Sequence, residues 1–104
     1  MIRGKLVLRG HMNKGNAEDI AIEALNFLAA DPARLARFLD LSGLDPASIR
    51  AAAGDAGFLA GVLDYVNGDE TLLLAFADHV TLAPTVVEKA RAALGGRTWE
   101  RDVP

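Results

Sequence analysis

The sequence predicts an all-α fold, a compact bundle of about six helices around one shared apolar core. Three observations support this prediction. Apolar residues recur at helical spacing along most of the chain, and Asp, Pro and Gly repeatedly mark helix boundaries. The chain has 104 residues, 51 % of them apolar, and no cysteine, so it can bury one core without a metal ion or a disulfide.

The N-terminal segment differs from the rest of the chain. Residues 1–15 are basic, contain three glycines and lack helical periodicity. They are typical of a cleaved tag or of an extension ahead of a native start at Met12, and a native arm that docks on the body is the alternative. We therefore expect a single helical domain over residues 16–96 and a C-terminal tail over residues 97–104.

The first helix is predicted over residues 17–30. Asn16 is a good N-cap residue, and Glu18 and Asp19 follow in the first turn, where the helix dipole favours negative charge. Apolar residues at helical spacing form its buried face: Ile20, Ala24, Leu25, Phe27 and Leu28.

An Asp-Pro pair starts the second helix and another starts the third. Aspartate caps a helix, and proline in the first turn loses no hydrogen bond, as at Asp31-Pro32 and Asp45-Pro46. The second helix ends at residues 42–43, and Gly54 closes the short third helix. The predicted buried stripe of the second helix consists of Leu35, Phe38, Leu39 and Leu41.

The second half of the domain predicts three more helices. The fourth spans residues 56–67, Asp69 caps the fifth, and the sixth begins at Pro84 and stops at residues 95–96. Gly61 lies inside the fourth helix, where close packing against another helix is the expected reason for a glycine.

The two halves match when the chain is shifted by 38 positions, with eight identities over residues 20–53. The aligned pairs include Asp31 with Asp69, Phe38 with Phe76, and Pro46 with Pro84. We expect an internal duplication with two pseudo-symmetric three-helix halves, which are each too small to fold alone and therefore share a core.

Charge disfavours a nucleic-acid partner. Residues 16–96 hold 12 acidic and 5 basic side chains, and an acidic surface repels phosphate backbones. The alternative, a nucleic-acid-associated regulator that resembles a helix-turn-helix, would use the cations of the final helix and tail, Lys89, Arg91, Arg97 and Arg101. Nearby carboxylates offset these charges.

The apolar runs are short. A signal peptide needs about 7–15 apolar residues and a membrane span about 18, and no run in the chain approaches the second length. We expect a cytoplasmic protein that does not bind membranes.

No residue pattern typical of catalysis, metal binding or cofactor binding occurs, so we expect a protein that is not an enzyme and has no cofactor. His79 has alanine, not histidine or carboxylate, four residues to either side on its helix. Asp40 and Asp78 occupy matching positions in the two halves and are interpreted as solvated. A small-molecule binder, the remaining alternative, would need these three side chains to converge in an enclosed pocket.

Three large apolar side chains are the candidate partner contacts. Ile22 and Leu74 lie roughly opposite the buried stripes of their helices, and Trp99 lies in the tail, which lacks periodicity. If they adjoin, they would form a contact surface, because buried aromatic residues anchor interfaces. A protein–protein interaction module, with a protein partner or a second copy, is therefore the first hypothesis.

Several segments resemble the small bacterial family called domain of unknown function 3572. The resemblance covers about residues 16–95 and rests on residues 21–32, 38–39, 42–46, 58–65 and 72–76. These motifs are structural in kind, so the resemblance implies a family of helical proteins but no activity, cofactor or catalytic residue.

Overall fold

The computed structural model describes residues 12–95, and all regular structure in this range is helical. The elements are α1 (Lys14–Ala29), α2 (Pro32–Ser42), α3 (Ile49–Ala52, after a 3-10 turn at Pro46–Ser48), α4 (Ala56–Asn67), α5 (Glu70–Val80) and α6 (Pro84–Leu94). The prediction of an all-α bundle of about six helices is confirmed. Of the predicted tag or arm at residues 1–15, residues 1–11 lie outside the described residues, as does the tail with Trp99, whereas Lys14 and Gly15 belong to α1.

Asn13 caps α1, and the prediction that Asn16 does so is wrong. The Asn13 side chain accepts a hydrogen bond from the Asn16 backbone N–H at 2.8 Å. The backbone carbonyl of Asn13 accepts one from the Ala17 backbone N–H at 2.9 Å. The helix therefore begins at Lys14, and Asn16 lies buried in its first turn. Both asparagines are suitable N-cap residues. The helix begins earlier than predicted, and Ala17 lies in the core.

Aspartate side chains cap three further helices, two of them at the predicted residues Asp31 and Asp69. The prediction that Asp45 caps the third helix is wrong, because the N-cap position of α3 is Ser48, which makes no side-chain cap hydrogen bond. Asp31 accepts a hydrogen bond from Ala33 N–H at 3.0 Å, and Asp69 accepts one from Leu72 N–H at 3.2 Å. Asp55 caps α4 in the same way. Each cap satisfies one of the backbone N–H groups that a helix leaves unpaired at its start.

The core lies where α1, α4 and α6 pack against one another. α2 lies against α1, and α5 lies against α4 and α6. Burying each large apolar side chain contributes about 1.5–3 kcal/mol. The largest side chains with almost no exposed surface are Phe76, Ile20, Leu28, Leu63, Val62, Val66, Val80 and Val87.

α2 is attached to the core by fewer residues than predicted. Phe38 is its one buried residue, Leu35 and Leu39 are half-buried, and Leu41 is 71 % exposed. The prediction that Leu41 belongs to the buried stripe is wrong. Leu39 and Leu41 lie about 160° apart around the helix axis, so both cannot face the core.

The third helices of the two sequence halves differ in the structure. α1 packs on α4, and each of them is followed by a helix of 11 residues, α2 and α5. The third helix of the first half, α3, has 4 residues, whereas α6 has 11 and packs on both α1 and α4. The internal duplication stays a prediction.

A helix that crosses a bilayer has about 20 predominantly apolar residues. No single helix of residues 12–95 is long and apolar enough to cross a membrane. α5 and α6 reach these values as a pair, but they are bent by 99° at the break between them.

Candidate functional site

A groove runs between α2 and α4, with a volume of about 380 Å³. This α2–α4 groove is lined by Phe38, Leu41 and Ser42 of α2 and by Phe58, Gly61, Asp64 and Tyr65 of α4. Its volume lies at the lower end of the range of ligand pockets, about 300–1,000 Å³. It is therefore large enough to take one or two bulky side chains.

Three aromatic rings form the floor of the groove. Phe38 reaches from α2 to α4, where its ring centroid lies 6.0 Å from that of Phe58 and 5.2 Å from that of Tyr65. Both contacts are edge-to-face, a geometry that contributes about 0.5–1.5 kcal/mol per pair beyond burial. Phe38 is only 3 % exposed, and Phe58 and Tyr65 are half-buried, so the three rings pack against one another without a ligand.

Gly61 opens the groove at the middle of α4. It lies between Phe58 and Tyr65 in sequence, and a Cβ atom added to it would meet no heavy atom of residues 12–95 within 4 Å. The expectation that Gly61 permits close helix packing is therefore wrong, because the glycine faces open space. Glycine inside a helix costs about 1 kcal/mol relative to alanine, so α4 carries a destabilising residue at the point where the groove is open.

Leu41 forms the exposed edge of the groove. Its side chain is 71 % exposed, the largest exposed fraction among the exposed bulky apolar residues of the described chain. The other two, Ile22 and Leu74, are 39 % and 49 % exposed. An exposed leucine beside an aromatic floor gives the α2–α4 groove a continuous apolar surface, which marks contact sites on proteins.

Arg91 of α6 links the groove wall to the end of the bundle. Its Nε donates a hydrogen bond to Asp64 Oδ1 at 2.5 Å, and its Nη1 donates one to the carbonyl of Gly95 at 3.1 Å. The Arg91 side chain is only 12 % exposed, whereas that of Asp64 is 46 % exposed. The one charged side chain that lines the groove is thus partnered by a cation, which suits apolar binding more than acid–base chemistry.

Ile22 of α1 and Leu74 of α5 are both exposed, as predicted. Ile22 of α1 lines a second hollow together with Ile49 and Arg50 of the α3 region, and Leu74 of α5 does not line it. Trp99 lies outside the described residues. Their role as partner contacts stays a prediction.

His79, Asp40 and Asp78 do not line the α2–α4 groove. The His79 ring packs 5.1 Å from the ring of Phe27, which also contacts Phe76. Asp40 and Asp78 are exposed. Among residues 12–95, no cluster of three or more His, Cys, Asp or Glu side chains could hold a metal ion.

Sequence reasoning missed Leu41 and Gly61 as site residues. One signal was present, because Gly61 interrupts an apolar helix face with Phe58 three residues before it and Tyr65 four residues after it. Such a pattern, large–small–large on one face, indicates a gap in that face.

The family described as protein of unknown function (DUF3572) matches residues 14–97 of the chain, which confirms the resemblance. The match begins where α1 begins and includes every residue that lines the α2–α4 groove. No curated protein and no solved structure matches the chain.

Proposed function

We propose that this chain, which belongs to the DUF3572 family, is a non-enzymatic protein–protein interaction module. The α2–α4 groove receives a large apolar side chain from a segment of a partner protein. The observation that carries the proposal is the combination of a fixed aromatic floor, a glycine that leaves the floor uncovered and an exposed Leu41 beside it.

The composition of the groove supports an apolar anchor. Interfaces gain most of their affinity from a few large side chains that fill desolvated pockets, and apolar burial contributes about 25 cal/mol per Å². Phe38, Phe58 and Tyr65 line the groove with aromatic rings, which favour an aromatic or long aliphatic partner side chain.

The charge of the protein supports basic residues beside that anchor. Residues 12–95 hold 12 acidic and 6 basic side chains, a net charge of −6. Complementary charge accelerates association and excludes partners of like charge. The partner segment we propose therefore carries a bulky apolar residue with Lys or Arg close to it.

The surroundings of Arg91 favour a protein over nucleic acid. Of the two cations on α6, Arg91 is mostly buried and engaged with Asp64 and Gly95, and Lys89 is exposed. Nucleic-acid affinity depends on several accessible cations that neutralise phosphates together. On α6 itself only Lys89 is free to do so, and Arg97 and Arg101, the other two cations of this alternative, lie outside the described residues.

The proposal is tested with random dodecamer peptides displayed on phage and selected on the full chain. We expect selected peptides to share one bulky apolar residue with basic neighbours. In fluorescence anisotropy, Leu41→Asp should weaken binding at least about tenfold, because about 1.4 kcal/mol is lost when a charge replaces an interface leucine.

Leu74→Asp is the matched control, because Leu74 is also an exposed helical leucine but lies on α5. It should leave the affinity unchanged. If Leu74→Asp or Ile22→Asp abolishes binding while Leu41→Asp does not, the sequence-predicted contact residues form the site and the groove does not. Dimerisation that Leu41→Asp abolishes would make a second copy the partner and overturn the choice of a foreign segment.

A further inference from the structure

We propose that the α2–α4 groove is covered in the free protein by the chain's own C-terminal segment, residues 96–104, with Trp99 as the anchor. This inference rests on the proposed function and adds its regulation. A partner segment would have to displace the tail before it reaches the aromatic floor.

The chain leaves α6 beside the α2–α4 groove. Arg91 contacts both the Asp64 carboxylate on the groove wall and the Gly95 carbonyl. The guanidinium group of Arg91 contacts both acceptors, so the end of α6 lies close to Asp64 on the groove wall. Gly95 has φ 60° and ψ −152°, a conformation that favours glycine and turns the chain out of the helix.

The segment after Gly95 is long enough to bring Trp99 to the groove. Trp99 follows Gly95 by four residues, and four residues can span up to about 14 Å when extended. A helix with its side chains is about 10–12 Å across. Trp99 can therefore reach the α2–α4 groove within one molecule.

The residues of the segment match the partner chemistry that the groove favours. Trp99 is flanked by Arg97 two residues before it and by Arg101 two residues after it. A bulky aromatic residue between two cations is the partner chemistry that the apolar groove and the acidic body favour. The tail thus has the features of a competing ligand attached to the receptor.

The sequence contains one tryptophan, so selective excitation of tryptophan in the full chain reports on Trp99 alone. We expect blue-shifted emission and protection from acrylamide quenching in the native protein. Gly61→Leu fills the groove, where an added side chain meets open space. It should shift the emission toward that of the chain in urea and remove the protection from quenching.

Controls separate loss of the tail contact from loss of the fold. Gly61→Leu should keep a cooperative urea transition with a midpoint close to that of the wild type, because the removal of a glycine from a helix interior offsets the lost tail contact, and Leu74→Asp should leave the Trp99 emission unchanged. If native emission already equals that in urea, or if Gly61→Leu does not change it, the inference is overturned. Protection that disappears on dilution would mean that Trp99 binds a second copy, which also overturns it.

Peptide binding separates this inference from the proposed function. If the tail covers the groove nine-tenths of the time, Trp99→Ala should tighten the binding of selected peptides about tenfold. Equal affinities for the wild-type and Trp99→Ala chains, both abolished by Leu41→Asp, would overturn tail coverage and leave the proposed function intact. Peptides that bind independently of Leu41, together with groove-dependent protection of Trp99, would overturn the proposed function alone.

Discussion

The ring of Phe38 packs edge-on against the ring of Tyr65, with their centroids 5.2 Å apart, and this contact joins α2 to α4. Together with Phe58, the two rings form the floor of the groove between α2 and α4. Gly61 contributes no side chain to this space, and none of residues 12–95 comes within 4 Å of the position that its Cβ would occupy. One set of aromatic residues thus holds α2 on the bundle and forms the floor of the proposed binding site.

Phe38→Ala should lower the free energy of unfolding by about 3–5 kcal/mol, because it removes a buried aromatic side chain and leaves a cavity. Urea denaturation of the full chain measures this change. Leu41→Ala on the same helix is the control and should change stability by no more than about 0.5 kcal/mol, since Leu41 is largely exposed. Equal losses for the two variants would contradict the described placement of α2.

Gly61→Ala should raise the free energy of unfolding by about 0.5–1 kcal/mol, because alanine costs less than glycine in a helix and the new Cβ meets no atom of the described part of the chain within 4 Å. Gly68→Ala provides the comparison. Its Cβ would lie 3.2 Å from the Asp64 carbonyl oxygen, so no comparable gain is expected. Thermal or urea unfolding of both variants distinguishes the open position from the crowded one.

Arg91→Met should lower stability by about 1 kcal/mol, since it removes the hydrogen bonds to Asp64 and Gly95 while it keeps the aliphatic stem. Lys89→Met on the same helix should stay within about 0.5 kcal/mol of the wild type. An Arg91→Met chain as stable as Lys89→Met would show that the contact does not hold the end of α6 beside the groove.

Leu73→Ala and Leu74→Ala compare neighbouring leucines on α5. Leu73 is 6 % exposed and belongs to the core, whereas Leu74 is 49 % exposed. The first substitution should cost about 2–5 kcal/mol, as for other buried leucines, and the second no more than about 0.5 kcal/mol. Urea midpoints of the two variants test which face of α5 is buried, and a reversed order would refute the assignment.

The helices could be predicted from the sequence because their boundaries depend on local chemistry. Asp31 and Asp69 cap helices through their own side chains, and such signals are visible without a structure. The start of α1 could not be fixed in this way. Asn13 and Asn16 are equally good cap residues by type, and the structure has Asn13 as the cap while Asn16 lies buried in the first turn.

The groove could not be predicted, because it depends on the direction in which helices face one another. Periodicity placed Leu41 on an apolar stripe, but the contacts of Phe38 with α4 determine how α2 is rotated and leave Leu41 outside. Gly61 has the same ambiguity. A glycine in a helix permits close packing or leaves a gap, and only the position of the neighbouring helix decides between them.

Backbone amide NMR of the full chain, titrated with a selected peptide, tests the central claim most directly. If the α2–α4 groove is the binding surface, the amide signals of Leu41, Gly61 and Tyr65 should shift with the peptide concentration. Shifts that instead centre on Ile22 and Leu74, with the groove signals unchanged, would contradict the claim.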